Sequence, residues 1–177
     1  MNPLTHAPEE RVVLVDEQDM EQGTMEKLEA HRSGDLHRAI SVFVMDHQGR
    51  MLLQQRAAGK YHSGGLWTNA CCSHPRPGES PQEAAERRLK EEMGISAPVT
   101  FRFMFQYRAE LENGLVEHEL DHVFFATYAG PVRPDPEEVQ DHAWYSLDAI
   151  TTELEHHPER FTPWFRLCWD RIVLIAK

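Results

Sequence analysis

Residues 79–95 read ESPQEAAERRLKEEMGI, and this stretch decides the fold. Ser80 and Glu83 form a capping box around a proline, which favours the first position of a helix. Gly94 supplies a C-terminal cap, so the sequence predicts a helix over 81–93. The apolar residues of that helix recur on one side and its charges lie elsewhere, which is typical of a helix packed on a core.

The stretches around this helix predict strands and a few shorter helices. Strands are expected at VVLVDE (12–17), RAISVFVMDHQGRMLLQQR (38–56, two strands joined by a turn at Asp46–Gly49), VTFRFMFQYRAE (99–110), VEHELDHVFFATYA (116–129) and HAWYSL (142–147). An Asn-Gly pair at 113–114 predicts a hairpin turn. Further elements are TMEKLEAH (24–31, a short helix or turn), the loop KYHSGGL (60–66), the helix LDAITTEL (147–154) and, after a Thr162-Pro163 cap, the helix WFRLCWDRIVLIAK (164–177). Strands and helices without strict alternation indicate an α+β fold.

The composition describes one globular domain and excludes several function classes. The chain has 177 residues, 41% of them hydrophobic and 27% charged, which argues against disorder. Its net charge of −11 disfavours polyanionic partners, so we expect no nucleic acid and no membrane surface. Three cysteines, two of them adjacent, indicate a reduced, cytoplasmic protein. The N-terminal residues lack a leader pattern, and no apolar run approaches the ~20 residues of a membrane span.

The carboxylates of the opening stretch could bind a cation. Glu79, Glu91 and Glu92 place carboxylates along one loop and helix, which suits a hard cation such as Mg²⁺. Arg88 stands among them and cannot ligate a cation, although it can hold a phosphate. The residues alone leave a second interpretation open, a solvated helix with Arg87–Glu91 and Arg88–Glu92 pairs at i,i+4 spacing.

A thiol and a histidine lie two positions apart in WTNACCSHP (67–75). Cys72 and His74 would share one face of an extended segment, where a thiol beside a metal or a cation could serve in acid–base chemistry. A buried cysteine and a surface histidine are the plainer alternative. Cys71 points the other way, and we expect it to be an ordinary buried thiol.

Histidines and paired glutamates suggest a metal site. Glu117 and Glu119 share one face of the predicted strand, where two carboxylates repel each other unless a cation or a proton separates them. With His31, His37 and His74 they would form a site of three nitrogens and two oxygens. Imidazole suits Zn, Mn and Fe, and the carboxylates shift the preference towards Mn or Mg. Alternating charge on an exposed strand is the alternative, and spacing alone does not show that these segments meet.

The opening stretch resembles the Nudix box. The positions that match are Glu79, Arg87, Leu89, Glu91, Glu92, Gly94 and Ile95. Two positions depart from it, because Ser73 stands where the box has glycine and Arg88 where it has a further metal-binding glutamate. The hydrolase chemistry of the box is therefore expected to be lost.

Three longer stretches resemble, in order, the signatures of type 1 isopentenyl diphosphate isomerases, a branch of the Nudix superfamily. They are GTMEKLEAHRSGDLHRAISVF, LLQQRAAGKYHSGGLWTNACCSHP and YRAELENGLVEHELDHVF, and the similarity covers roughly residues 12–170. WTNACCSHP and the paired E-x-E are specific to that branch, which keeps the Nudix scaffold without the hydrolase glutamates. The resemblance implies one Nudix-like domain over 1–177, a mixed sheet flanked by helices, with 1–10 flexible.

The resemblance also implies an activity and a set of roles. The family interconverts isopentenyl and dimethylallyl diphosphate, the precursors of isoprenoid biosynthesis, by adding a proton to one face of an alkene and removing another from the opposite side. The implied catalytic residues are Cys72, Glu119, Tyr107 and Trp164. One tightly bound divalent metal (Mn²⁺, Zn²⁺ or Mg²⁺) would have as its ligands His31, His37, His74, Glu117 and Glu119. The implied diphosphate-binding residues are Lys27, Arg56, Lys60 and Arg88. A Mg²⁺ ion that arrives with the substrate would be held by Glu92 and the backbone carbonyl of Cys72.

Two other functions remain as alternatives, a Nudix pyrophosphohydrolase and a non-catalytic metal-binding Nudix-like module. Arg88 together with Ser73 counts against the hydrolase, and the intact Cys72 and Glu119 count against the module. The expected partner is a small diphosphate, and the expected state is a monomer, with an oligomer left open. Trp67 is expected either to wall the pocket or to belong to the core.

Overall fold

A nine-stranded mixed sheet carries the fold in the computed structural model, which describes residues 10–176. The strands are β1 (Arg11–Val15), β2 (Glu21–Glu26), β3 (His37–Met45), β4 (Arg50–Arg56), β5 (Trp67–Asn69), β6 (Cys71–Ser73), β7 (Thr100–Glu110), β8 (Val116–Thr127) and β9 (Val139–Ser146). The helices are α1 (Lys27–Ser33), α2 (Pro81–Met93), α3 (Leu147–His156) and α4 (Pro163–Ala176), with short 3₁₀ turns at Glu112–Gly114 and Pro158–Arg160. None of the helices within 10–176 has the length and apolar content that crossing a bilayer requires.

Strand β3 lies at the centre of the sheet. It pairs in parallel with β8, and it pairs antiparallel with β1, β4 and β6. The register sets His37 beside Glu119 on β8 and Ser41 beside Cys72 on β6. Strand β7 completes the hairpin with β8 and sets Tyr107 opposite Glu119. Residues far apart in the sequence therefore reach one face of the sheet.

Helix α2 covers the opposite face. Its capping box is formed as expected, since the Glu83 N–H donates to Ser80 Oγ (3.2 Å) and the Ser80 N–H donates to Glu83 Oε2 (2.9 Å). Gly94 ends the helix in the left-handed conformation, at φ 66°. The buried side of the helix packs on the even-numbered residues of β3, and it consists of Ala84, Ala85, Leu89 and Met93.

Helix α4 packs on the other face of the sheet, which carries the odd-numbered residues of β3. Phe43 of β3 stacks on Phe165 of α4, with ring centroids 6.1 Å apart, and Phe125 of β8 joins them. Because both faces of β3 are buried, its sequence is nearly continuously apolar instead of alternating. The same burial explains why 38–45 was recognisable as a strand.

The predicted strands and helices are confirmed with a few shifts. The hairpin turn contains Asn113 in the left-handed conformation, at φ 63°. Strand β9 begins at Val139, three residues before the predicted start at 142. The segment 67–75 forms two short strands separated by Ala70. Residues 1–10 were expected to be flexible. All of them except Glu10 lie outside the described residues.

The first half of TMEKLEAH was not predicted correctly. Residues 24–26 end strand β2, which pairs with β1 at the edge of the sheet, and α1 begins only at Lys27. Glu26 is the N-cap, because its carboxylate accepts from the backbone N–H groups of Leu28 and Glu29. Strand β2 reads EQGTME, so it lacks the alternation of polar and apolar residues that would have marked it as a strand.

Alanine substitutions at two glycines in the left-handed conformation, Gly94 and Gly49, can show what fixes the end of α2. A Cβ at Gly94 would lie 2.6 Å from the Arg133 carbonyl oxygen, whereas a Cβ at Gly49 (φ 74°) would meet nothing within 4 Å. We expect Gly49→Ala to lower the free energy of unfolding by about 1 kcal/mol, the cost of the backbone conformation alone. Gly94→Ala should lose about 1–3 kcal/mol more because of the clash. Urea unfolding measures both, and equal losses would contradict this account of the cap.

Candidate active site

A pocket of about 210 Å³ opens on the face of the sheet that carries Ser41 and Cys72. It is lined by all of the predicted catalytic and diphosphate-binding side chains: Cys72, Tyr107, Glu119, Trp164, Lys27, Arg56, Lys60 and Arg88. Glu92, Glu117 and His74 also line it. The fold thus brings together segments that spacing alone could not connect.

Two of the predicted ligands, His31 and His37, are fully buried behind the pocket lining. His31 Nδ1 lies 2.7 Å from the Lys27 carbonyl oxygen, and His37 Nδ1 lies 2.9 Å from that of Asp35. Because a carbonyl oxygen only accepts, each Nδ1 carries the hydrogen and each Nε2 keeps a free lone pair. Within the described part of the chain, neither buried Nε2 has a hydrogen-bond partner. Such nitrogens are suited to bind a metal ion.

Four potential ligand atoms lie close together, two of them from these histidines. The donor atoms of His31, His37, His74 and Glu119 all lie within 4.8 Å of one another. His74 Nε2 is 2.9 Å from Glu119 Oε1, and His37 Nε2 is 3.5 Å from the same oxygen. Burial lowers the pKa of His31, and it lowers the pKa of His74 to about 3, so these rings are neutral near pH 7. Three imidazoles and a carboxylate fit a divalent transition metal.

Glu117, the fifth predicted ligand, has different neighbours. It forms a second group of potential ligands with His31 and His62, again within 4.8 Å. The Tyr107 hydroxyl lies 3.1 Å from Glu117 Oε2 and 2.6 Å from Glu119 Oε2, so it links the two carboxylates. Four of the five expected ligands are therefore gathered in one group, and Glu117 adjoins it from the side of His62.

The two buried glutamates differ in proton affinity. Burial raises the pKa of Glu117 well above its ordinary value, and the nearby charge of Glu119 raises it further. Burial opposes ionisation of Glu119 as well, but His37 and His74 face its carboxylate and hold its pKa well below the usual range. Of the two carboxyl groups, Glu117 is therefore the one that holds a proton more readily.

The thiol of Cys72 is held between two polar side chains. It donates to Asn69 Oδ1 at 3.0 Å, and the Trp164 indole N–H donates to the sulfur at 2.9 Å. Burial raises the pKa of this thiol to about 12, so it is protonated at neutral pH. Cys71 is fully buried in the core on the α2 side, as expected. Asn69 had not been singled out, although it stands in WTNACCSHP.

Cys72 and the Tyr107–Glu119 pair approach the pocket from opposite sides of β3. Cys72 lies on β6, paired with one edge of β3, and Glu119 lies on β8, paired with the other edge. Their positions in the register place both side chains on the same face of the sheet. A proton donor and a proton acceptor can therefore act on two sides of a small molecule bound between them.

Two basic residues of the pocket, Arg88 and Lys60, are engaged by carboxylates. Arg88 contacts Glu92 Oε1 at 2.6 Å, Glu91 Oε2 at 2.7 Å and Glu138 Oε1 at 3.3 Å. Lys60 forms an ion pair with the same Glu138, a pocket residue that sequence reasoning missed. The predicted i,i+4 pair between Arg88 and Glu92 is thus present inside the pocket.

The arginine that matches the Nudix box, Arg87, forms ion pairs outside the pocket. Arg87 Nε and Nη2 donate to the two oxygens of Glu79, at 2.6 and 2.8 Å, and Nη1 contacts Glu91 at 3.2 Å. This bidentate pair ties the loop before α2 to the helix and lies outside the pocket lining. Glu79 therefore pairs with Arg87 in a structural contact and does not lie beside the predicted catalytic residues.

Trp67 does not wall the pocket. It packs edge-on against Tyr145, with centroids 6.0 Å apart, and both residues line a separate apolar cleft. Its carbonyl oxygen accepts from the Thr162 N–H just before α4. The alternative expectation, a role in packing, agrees with this position.

Comparison with known proteins identifies the family. The NUDIX domain model matches residues 35–165. A protein of Aromatoleum aromaticum named isopentenyl-diphosphate Delta-isomerase 1 is 51% identical over 93% of this chain and 93% of its own length. Isopentenyl-diphosphate Delta-isomerase of Pectobacterium atrosepticum is 52% identical over 96% of this chain and 92% of its own length. The chain belongs to the isopentenyl-diphosphate Delta-isomerase family of Nudix proteins.

Solved structures confirm the Nudix fold of this isomerase family member. A protein from Deinococcus radiodurans superposes with a TM-score of 0.77 at 17% identity, over 92% of this chain and 98% of that one. The MutT protein from Methanosarcina mazei superposes with a TM-score of 0.64 at 22% identity, over 80% of this chain and 96% of that one. The α+β class and the mixed sheet flanked by helices are therefore confirmed, as is the resemblance stated from the motifs.

Proposed function

We propose that this protein interconverts isopentenyl diphosphate and dimethylallyl diphosphate in isoprenoid precursor biosynthesis. One observation carries the proposal: the Cys72 thiol and the Glu119 carboxyl group face a single pocket from opposite sides of β3. Relatives named for this isomerase, at about half identity over nearly the whole chain, support the same substrate class.

The reaction moves two protons and leaves the diphosphate intact. One group protonates a carbon–carbon double bond, a tertiary carbocation forms, and a group on the opposite side removes a different proton to regenerate the double bond. The Cys72 thiol can give a proton, and Glu119, with the Tyr107 hydroxyl hydrogen-bonded to it, can accept one. The reverse reaction uses the same groups with their protonation states exchanged. We assign neither group to a particular carbon.

The carbocation requires a pocket that stabilises positive charge and excludes water. Trp164 is buried, lines the pocket and presents an indole ring whose π face can stabilise a cation. The Arg56 guanidinium lies 5.4 Å from that ring centroid, a distance at which a cation and an aromatic ring attract each other. Water in the pocket would convert the carbocation to an alcohol, so bound substrate has to displace water from the volume of about 210 Å³.

The diphosphate would be bound at the basic end of the pocket. We assign Lys27, Arg56, Lys60 and Arg88 to its oxygens, because all of them line the pocket. Mg²⁺ is expected to accompany the substrate and would be held by Glu92 and the Cys72 carbonyl oxygen. Glu92 is oriented for this by Gln54, whose Nε2 lies 3.1 Å from Glu92 Oε2.

A separate, tightly bound divalent metal is proposed at the histidine cluster. His31, His37 and His74 would hold it with Glu119, and Glu117 would approach from the side. Mn²⁺ or Zn²⁺ suits three imidazoles better than Mg²⁺ does. Its charge would compensate the two buried glutamates.

The setting of the enzyme follows from its chemistry. The three cysteines are free thiols, which supports a location in the reducing cytoplasm. We propose a single domain over 1–177 that acts as a monomer, without a nucleic-acid or membrane partner.

Hydrolysis is the second candidate, because the NUDIX domain model matches residues 35–165 and the stretch 79–95 keeps most positions of the Nudix box. The Arg88 side chain argues against it: it forms ion pairs with Glu91 and Glu92 at the position of a metal-binding glutamate in the box. A non-catalytic module is less consistent with a pocket in which both proposed proton-transfer groups are present.

The test of function is incubation of the protein with isopentenyl diphosphate and Mg²⁺ in D₂O. We expect deuterated dimethylallyl diphosphate, observed by NMR or mass spectrometry. Cys72→Ala and Glu119→Gln should each slow turnover by about 10²–10⁴-fold, the usual contribution of a general acid or base. Cys168→Ala removes a buried thiol outside the pocket and serves as the control, with folding of every variant checked by circular dichroism. Release of inorganic phosphate, or near-normal turnover of either pocket variant, would contradict the proposal.

The diphosphate assignment is tested at Lys60. Lys60→Met removes a positive charge that faces the pocket, so we expect KM to rise about 10-fold or more, as the loss of a hydrogen bond to a charged group (about 1.5–3 kcal/mol) implies. Lys90→Met is the matched control, since Lys90 is exposed on α2. Steady-state kinetics measures both variants, and an unchanged KM for Lys60→Met would remove this residue from the site.

A further inference from the structure

A fourth histidine, His62, lies in the pocket beside the proposed metal ligands. It belongs to the loop 57–66 and is 3% exposed. Its Nε2 lies 3.3 Å from Glu117 Oε1, and its ring stacks on that of His31, with centroids 5.8 Å apart. Neither the catalytic set nor the diphosphate-binding set includes it.

The two groups of potential ligands point to a single ion. His31 belongs to both groups, but its Nδ1 is engaged by the Lys27 carbonyl oxygen, which leaves only Nε2 free. One nitrogen lone pair binds one ion. The pair His62 and Glu117 therefore faces the same metal position as His37, His74 and Glu119, from another side.

His62 is held in the manner of the other buried histidines. Its Nδ1 lies 3.2 Å from Ser63 Oγ, an oxygen that can accept the ring N–H and leave Nε2 free. His31 and His37 have the same arrangement, with backbone carbonyl oxygens in the place of the hydroxyl. An oxygen on the distal nitrogen is the usual support of a metal-ligating imidazole.

The loop that carries His62 is anchored to the strand pair that carries the glutamates. The Ser63 N–H donates to the Glu112 carboxylate in the turn between β7 and β8. Ser63 adopts φ 52°, a conformation that non-glycine residues rarely take, so the surrounding contacts hold the loop in this form. Trp164 packs edge-on against the His62 ring, with centroids 6.0 Å apart, and closes the other side. His62 is thus fixed in position before any ion binds.

We propose that His62 is a further ligand of the tightly bound divalent metal. The ion would then be surrounded by four imidazole nitrogens and two carboxylates, from His31, His37, His62, His74, Glu117 and Glu119. This inference rests on the metal site of the proposed function. Six protein donors fill an octahedral shell, so no position stays open for substrate, and the nitrogen-rich set favours Co²⁺, Ni²⁺ or Zn²⁺ over Mg²⁺.

The alternative is that His62 only donates a hydrogen bond to Glu117. Two substitutions separate these roles. His62→Ala removes both the imidazole and the hydrogen bond, whereas His62→Gln keeps an N–H donor for Glu117 and removes the imidazole nitrogen. His47→Ala is the control, because His47 is exposed in the turn between β3 and β4.

The experiment is Co²⁺ binding to chelator-treated protein, followed by the visible absorption spectrum and by competition with a chelator of known affinity. We expect His62→Ala and His62→Gln to weaken binding by about 10-fold or more and to alter the Co²⁺ spectrum, while His47→Ala matches the wild type. Wild-type affinity and spectrum in either His62 variant would overturn the assignment.

Pulsed EPR of the Mn²⁺-loaded wild-type protein tests the same point without a substitution. Four coordinated imidazole nitrogens are expected, and three would overturn the proposal. Wild-type protein that binds neither ion would overturn the metal site as a whole, and the D₂O assay shows separately whether the isomerase activity is present.

Discussion

The structure depends on how two buried glutamates are compensated. Glu117 and Glu119 lie side by side on β8 with little access to water, and burial lowers the pKa of the neighbouring His74 to about 3, so that its ring is neutral. An isolated carboxylate in such surroundings is costly, and two of them repel each other. A divalent cation bound by the surrounding nitrogens removes both costs. Without it, one carboxylate must hold a proton, as the raised pKa of Glu117 indicates.

The positions of the strands follow from this centre. The parallel pairing of β3 with β8 sets His37 beside Glu119, and the hairpin adds Tyr107 from β7. The thiol of Cys72 enters from β6, on the other edge of β3. The proposed cation site, the proposed acid–base groups and the basic side chains lie in or beside one pocket, so local positive charge can bind an anionic substrate although the whole chain carries a net charge of −11.

Much of this could be predicted from the sequence, because the signals are local. A capping box and a glycine fix the ends of α2, and Asn113 marks the hairpin. The site residues came from the resemblance to a family, since no local rule connects His31 with Glu119. Strand β2 lacks an apolar period, and His62 could not be recognised because its partner Glu117 lies in a different part of the chain. Only the three-dimensional arrangement brings such residues together.

The central claim is that one bound cation compensates the buried glutamates, and metal-dependent unfolding tests it most directly. Chelator-treated protein is unfolded in urea at increasing ratios of Zn²⁺ or Mn²⁺, and the free energy of unfolding is followed. The account predicts a steep rise up to one equivalent of metal, followed by a slow logarithmic increase with free metal that amounts to about 2.7 kcal/mol of stabilisation at a free metal concentration 100 times Kd. Stability that does not change when the metal is removed or added would contradict it.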